Sequence, residues 1–103
     1  MEAVIAAERM LGNEPRDVSA ENKGYDIESR DPRAGQLRFI EVKGRHAGSR
    51  DVIVAKNELL AALNAPEAFI LAIVGVVGGF AGEPVYVRRF FERELGRCDR
   101  RAY

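Results

Sequence analysis

The chain has 103 residues, 47% apolar and 31% charged, and its 16 basic and 16 acidic side chains leave a formal net charge of zero. That length suits one domain, is too short for two, and can build a core without disulfides or metal staples. Zero net charge excludes a bulk pull toward nucleic acid or anionic membrane, so any phosphate-binding surface must come from local clustering.

The densest basic cluster is C-terminal: Arg88, Arg89, Arg93, Arg97, Arg100 and Arg101. It reads most simply as a solvated helix and tail. The single cysteine, Cys98, rules out an internal disulfide and points to a reducing, cytoplasmic setting. With the lone His46 it cannot supply the four ligands of a structural zinc site. The longest apolar run, Phe69 to Val77, falls well short of the roughly 20 residues that span a bilayer, so no membrane role is expected.

In chain order, Met1 to Leu11 reads as a helix, with Met1, Val4, Ile5 and Leu11 on one face and Gly12, Asn13 and Pro15 at its end. Glu14 to Lys23 is polar and reads as a loop. Tyr25 to Ser29 alternates at period two, Asp31 to Gly35 is turn chemistry, and Leu37 to Lys43 alternates again. Gly44 to Ser49 reads as a mobile loop that holds His46, and Val52 to Val54 as a short strand. Lys56 to Asn64 reads as a helix with Leu59, Leu60 and Leu63 on one side. Phe69 to Val74 is an unbroken apolar run, the pattern of a strand covered on both faces. Gly78 to Gly82 reads as a flexible connection, Val85 to Val87 as a strand, and Phe90 to Leu95 as a short helix before a fraying tail. The expected architecture is α/β, a mixed central sheet of about five strands flanked by helices.

The first two strands carry the chemistry. Their turn centres near Arg33, so paired residue numbers sum to about 66 or 67. An odd sum gathers Tyr25, Ile27, Ile40 and Val42 on one apolar face, and Asp26, Glu28, Leu37, Phe39, Glu41 and Lys43 on the other. An even sum mixes apolar and charged residues on both faces, so burial favours the odd one. A sum of 67 sets Asp26 opposite Glu41, with Cβ atoms about 4.5–5.5 Å apart. Two carboxylates at that distance repel, and a divalent cation turns the repulsion into binding. Hard oxygen ligands suit Mg²⁺ or Mn²⁺. Lys43, two residues on, can orient a water or offset phosphate charge. Glu8 falls on the apolar stripe of the first helix, where an unpaired carboxylate is costly. It either reaches the ion or pairs with an arginine such as Arg38.

The pattern Gly24-Tyr25-Asp26-Ile27, then Phe39-Ile40-Glu41-Val42-Lys43-Gly44, with Asn57-Glu58 downstream, resembles the PD-(D/E)XK nuclease superfamily. Within it the chain is similar to the domain named after the protein NO VEIN, found C-terminally in large helicase-like and ATPase-like proteins. The likeness runs from the first helix to the Val85–Val87 strand. It implies a restriction-endonuclease-like fold, with Asp26, Glu41 and the Val42 carbonyl as metal ligands. It further implies Lys43 as the catalytic lysine and Glu8 as the glutamate many members carry on the first helix. Arg45, Lys56 and Asn57 lie near this constellation and are candidate nucleic-acid contacts, against a plainer reading as surface residues. The resemblance also implies a domain cut from the C-terminal part of a longer chain that holds a helicase-like ATPase region. A homodimer is left open.

Two departures stand out. Tyr25 occupies the place of the motif's proline. Ala55 occupies the place of a Ser or Thr cap, which leaves Asn57 and Glu58 without a firm role. A solvated sheet face with a cross-strand ion pair is the plain alternative for Asp26, Glu41 and Lys43, but Leu37 and Phe39 share that face and argue for its being covered. A Gly-x-Ser-x-Gly elbow, a phosphate loop and a dinucleotide fingerprint are all missing from the sequence. The leading expectation is a Mg²⁺-dependent phosphodiesterase acting on DNA. Its rivals are a DNA-gripping module that cleaves nothing and a protein-docking domain using the arginine-rich end.

Overall fold

The computed structural model describes residues 1–46, 53–77 and 80–90. Helix α1, Glu2–Met10, buries Val4 and Glu8. It stops at Gly12, whose φ of +86° favours glycine, and the Arg33 guanidinium donates to the Leu11 carbonyl at 3.0 Å.

The next residues correct the loop expectation for Glu14 to Lys23. Glu14–Asp17 form strand β1, and Ser19–Glu21 a short 3₁₀ turn. β1 is an edge strand with an almost wholly exposed, polar sequence, so it shows none of the apolar alternation by which strands are read. Cross-strand charge pairs mark it instead: Arg30 meets Glu14 at 3.1 Å and Arg16 meets Glu28 at 3.4 Å. Pro15 is tolerated because an edge strand can spare an N–H.

Strands β2, Ile27–Asp31, and β3, Gln36–His46, pair antiparallel in the expected odd register, with Ile27 opposite Ile40 and Glu28 opposite Phe39. The Asp31 carboxylate accepts the Arg33 N–H at 2.9 Å and fixes the turn. β3 then pairs parallel with β4, Phe69–Val77, from Phe39–Phe69 through His46–Val76. This ladder corrects the loop expected at Gly44: strand pairing carries the backbone on through His46. A parallel pair needs a long crossover, and helix α2, Lys56–Asn64, lies in it. The far edge of β4 is shared by β6, Val85–Arg88, along Ile70–Ile73 and by β5, Phe80–Ala81, along Val76–Val77. Among the described residues, six strands therefore occupy five places across one mixed sheet.

The two faces of the sheet bury separate clusters. Val4, Ile27, Ile40, Ile70, Ala72 and Val74 pack on the α1 side. Val54, Leu59, Ala62, Phe69, Leu71, Ile73 and Phe90 pack on the α2 side. Ile53 and Val54 form no strand; Val54 instead plugs the core beside Leu59. Val52, the rest of the Gly44–Ser49 loop, Gly78–Gly79, the helix expected past Phe90 and the tail with Cys98 lie outside the described residues. So do Arg93, Arg97, Arg100 and Arg101. Among the described residues no helix is long and apolar enough to cross a membrane.

Candidate active site

Alternation along β3 sends Ile40 and Val42 toward α1, and Phe39, Glu41 and Lys43 toward α2. Glu41 is only 5% exposed. The Lys43 ammonium lies 3.2 Å from Glu41 Oε2 and 2.8 Å from Glu58 Oε1. Glu58 stands in the first turn of α2, where its Oε1 also accepts the Ala55 N–H at 2.9 Å. Ala55 has no side chain to return that bond, so half of the reciprocal capping pair survives, and it aims Glu58 at Lys43. This places in the cluster a residue that sequence reasoning left without a role. Its signal was its position three residues past the helix cap.

Asp26 lies just before β2, level with Glu41. Its N–H donates to the Ile40 carbonyl and its carbonyl accepts the Val18 N–H. Its carboxylate accepts the Val42 N–H at 2.9 Å. Gly24 lets this segment approach α2. Its φ is +87°, and a Cβ there would fall 2.8 Å from the Asn57 carbonyl oxygen and 2.9 Å from Ala61 Cβ. The approach also corrects the face expected for Tyr25. The chain leaves the ladder at Asp26, alternation stops, and Tyr25 stacks on Phe39 at 4.6 Å between ring centroids, away from Ile27.

Burial pushes the Glu41 carboxyl up to about 9, helped by its hydrogen bond with Glu58 and by the charges of Glu58 and Asp26; Lys43 opposes the rise only in part. Burial would also raise Glu58, yet hydrogen bonds from Glu41, Lys43 and the Ala55 N–H hold it below its ordinary value. Burial would lower Lys43, but Glu58 and Glu41 outweigh it and raise the ammonium. At neutral pH Glu41 therefore carries a proton directed at an ionised Glu58, and Lys43 stays charged. Asp26 and Glu58 thus crowd their charges on Glu41, and a carboxyl displaced this far marks a candidate functional site.

Asp26 and Glu41 carry hard oxygen donors of the kind that Mg²⁺ and Mn²⁺ take. Among the described residues no three acidic, imidazole or thiol side chains form a ready-made metal cluster. Mg²⁺ does not require one: it keeps several waters and takes one or two carboxylates. Asp26, Glu41 and the Val42 carbonyl are the oxygens that would hold such an ion, and its binding would release the Glu41 proton.

The structure does not bring Glu8 to this cluster. Glu8 is fully buried on the other side of the sheet, because Arg38, three residues before Glu41, points to the opposite face of β3. The Arg38 fork donates to Glu8 at 2.8 and 3.1 Å, Asn13 at 3.1 Å and the Tyr86 hydroxyl at 3.2 Å. The arginine-paired alternative is the one realised, and the expectation that Glu8 completes an ion's shell is corrected. Burial, then the Glu8 charge, pushes the Tyr86 hydroxyl up to about 12.

Of the candidate nucleic-acid contacts, Arg45 shares the Glu41–Lys43 face, and Lys56 and Asn57 are exposed at the start of α2. The Asn57 carbonyl serves as the surface on which Gly24 rests.

Set beside known proteins, residues 1–87 match a family model described as Protein NO VEIN, C-terminal. No curated protein and no solved structure matches the chain.

Proposed function

The chain belongs to the Protein NO VEIN, C-terminal, family, and we propose that it hydrolyses DNA phosphodiesters at Asp26, Glu41 and Lys43 with a divalent cation. The mixed sheet, with two acids and a lysine at adjoining positions of its first hairpin, supports a PD-(D/E)XK, restriction-endonuclease-like reading. One observation carries it: a half-buried lysine, 3.2 Å from Glu41 and 2.8 Å from Glu58, beside an aspartate fastened to the main chain of Val42.

Asp26, Glu41 and the Val42 carbonyl would hold Mg²⁺ or Mn²⁺. When bound, such an ion supplies positive charge to a phosphate and acidifies water. Lys43 would orient the attacking water and offset charge developing on the phosphoryl oxygens. Glu58 keeps Lys43 in place while the site is unliganded. The water oxygen bonds to phosphorus and gives up a proton to solvent, while the bond from phosphorus to the leaving oxygen breaks and that oxygen takes a proton from solvent.

A second reading rests on the engagement of Lys43 by two carboxylates and on the zero net charge: a module that grips DNA for a helicase-like ATPase region of a parent chain and cleaves nothing. Supercoiled-plasmid nicking separates the two. Nicking in Mg²⁺ or Mn²⁺ that Glu41→Ala abolishes supports hydrolysis; salt-sensitive DNA binding with no nicking supports the gripping module.

A further inference from the structure

One ladder step beyond Lys43, β3 presents Arg45 on the same face, at the edge of a pocket of about 430 Å³. The ladders set Lys43 beside Ile73, Arg45 beside Gly75, and Val85 on the far side of Ile73. Ile73 and Val85 make the apolar wall. The floor is bare backbone, where the Gly82 N–H donates to the Gly75 carbonyl at 2.8 Å. Glu83 and Arg45 are the charged residues of its lining.

This is a setting for a flat heterocycle: an aliphatic wall and a guanidinium plane for its faces, a carboxylate for its edge. We propose, resting on the hydrolytic reading above, that the pocket receives the base next to the scissile phosphate, with Arg45 against the base and Glu83 accepting from its exocyclic amino group. A carboxylate suits the amino group of cytosine and has no such donor in thymine. A base can enter only if it is unstacked, so the favoured substrate is single-stranded or locally opened DNA.

Gly75 offers a direct test. It has no strained φ, and a Cβ added there meets nothing within 4 Å, so Gly75→Leu fills the pocket from its floor without distorting the strand. The measurements are fluorescence anisotropy of short oligo-dC and oligo-dT in Ca²⁺, cleavage of the same strands in Mn²⁺, and a thermal melt of each variant. The expected result is tighter binding of oligo-dC than oligo-dT. Gly75→Leu should weaken oligo-dC binding by roughly tenfold, the scale of one lost stacking contact, and Glu83→Gln should erase the dC preference. Undiminished oligo-dC binding by a folded Gly75→Leu protein would overturn the subsite, while wild-type cleavage would leave the hydrolytic reading standing. Pocket-dependent binding with no cleavage would sustain the subsite and sink that reading. Binding of neither strand would overturn both. Should Gly75→Leu fail to fold, Glu83→Gln, an exposed change, decides through base preference alone.

Discussion

Glu41→Gln keeps the shape of the buried side chain and its capacity to donate to Glu58, but removes its titration. In the wild type the folded chain holds the Glu41 proton up to about pH 9, against an ordinary value of 4.5. The folded state therefore binds more protons than the unfolded chain between those limits. The stability contributed by that proton is complete below pH 4.5 and is lost as pH rises through 9. The ceiling on the slope is about 1.4 kcal/mol per pH unit. Glu58 runs the other way, its contribution being lost as pH falls through a value below 4.5, outside this window. Even a quarter of the ceiling, accumulated over three pH units, comes to about 1 kcal/mol, or roughly 4–8 °C in Tm for a domain of this size. In metal-free buffer the Gln variant should melt with the wild type near pH 5 and progressively above it toward pH 9. Adding Mg²⁺ should raise the Tm of the wild type alone, since a ligand stabilises only through its site. Melting temperatures of the two proteins that stay parallel from pH 5 to 9 would refute the buried, crowded carboxyl.

Glu8→Ala should cost about 3–5 kcal/mol in denaturant unfolding, because it strands the half-buried Arg38 guanidinium; a double change to two methionines should recover much of the loss. Gly24→Ala should cost about 1–3 kcal/mol in the same assay, through its positive φ and the collision with Asn57. Glu58→Gln should bring the Lys43 amine back toward its ordinary value, read by the pH dependence of its NMR signal or chemical labelling.

Burial explains what the sequence made legible. The register of β2 on β3 follows from the demand that Ile27 and Ile40 share a buried face, and once it is set, Glu41 and Lys43 must share the other. Edge strand β1 escaped notice because its side chains are solvated and its only pattern is charge pairing with β2. Glu58 escaped because its meeting with Lys43 depends on how closely α2 packs, which Gly24 permits and no periodicity encodes. Tyr25 was misplaced because alternation holds only while the chain stays in the ladder. Glu8 read as anomalous for a sound reason, an acid on an apolar stripe, but the cation that answers it is Arg38 on the near face of the sheet.

Single-turnover cleavage by Lys43→Ala, measured beside DNA affinity in Ca²⁺ at several salt concentrations, tests the hydrolytic centre most directly. A lysine acting on the attacking water or the developing phosphate charge makes its contribution in the transition state. Cleavage should then fall by roughly 10²-fold or more, while affinity and its salt dependence change little. Undiminished cleavage at saturating DNA, with weaker binding and a salt slope reduced by about one unit, would make Lys43 a phosphate contact and contradict the account.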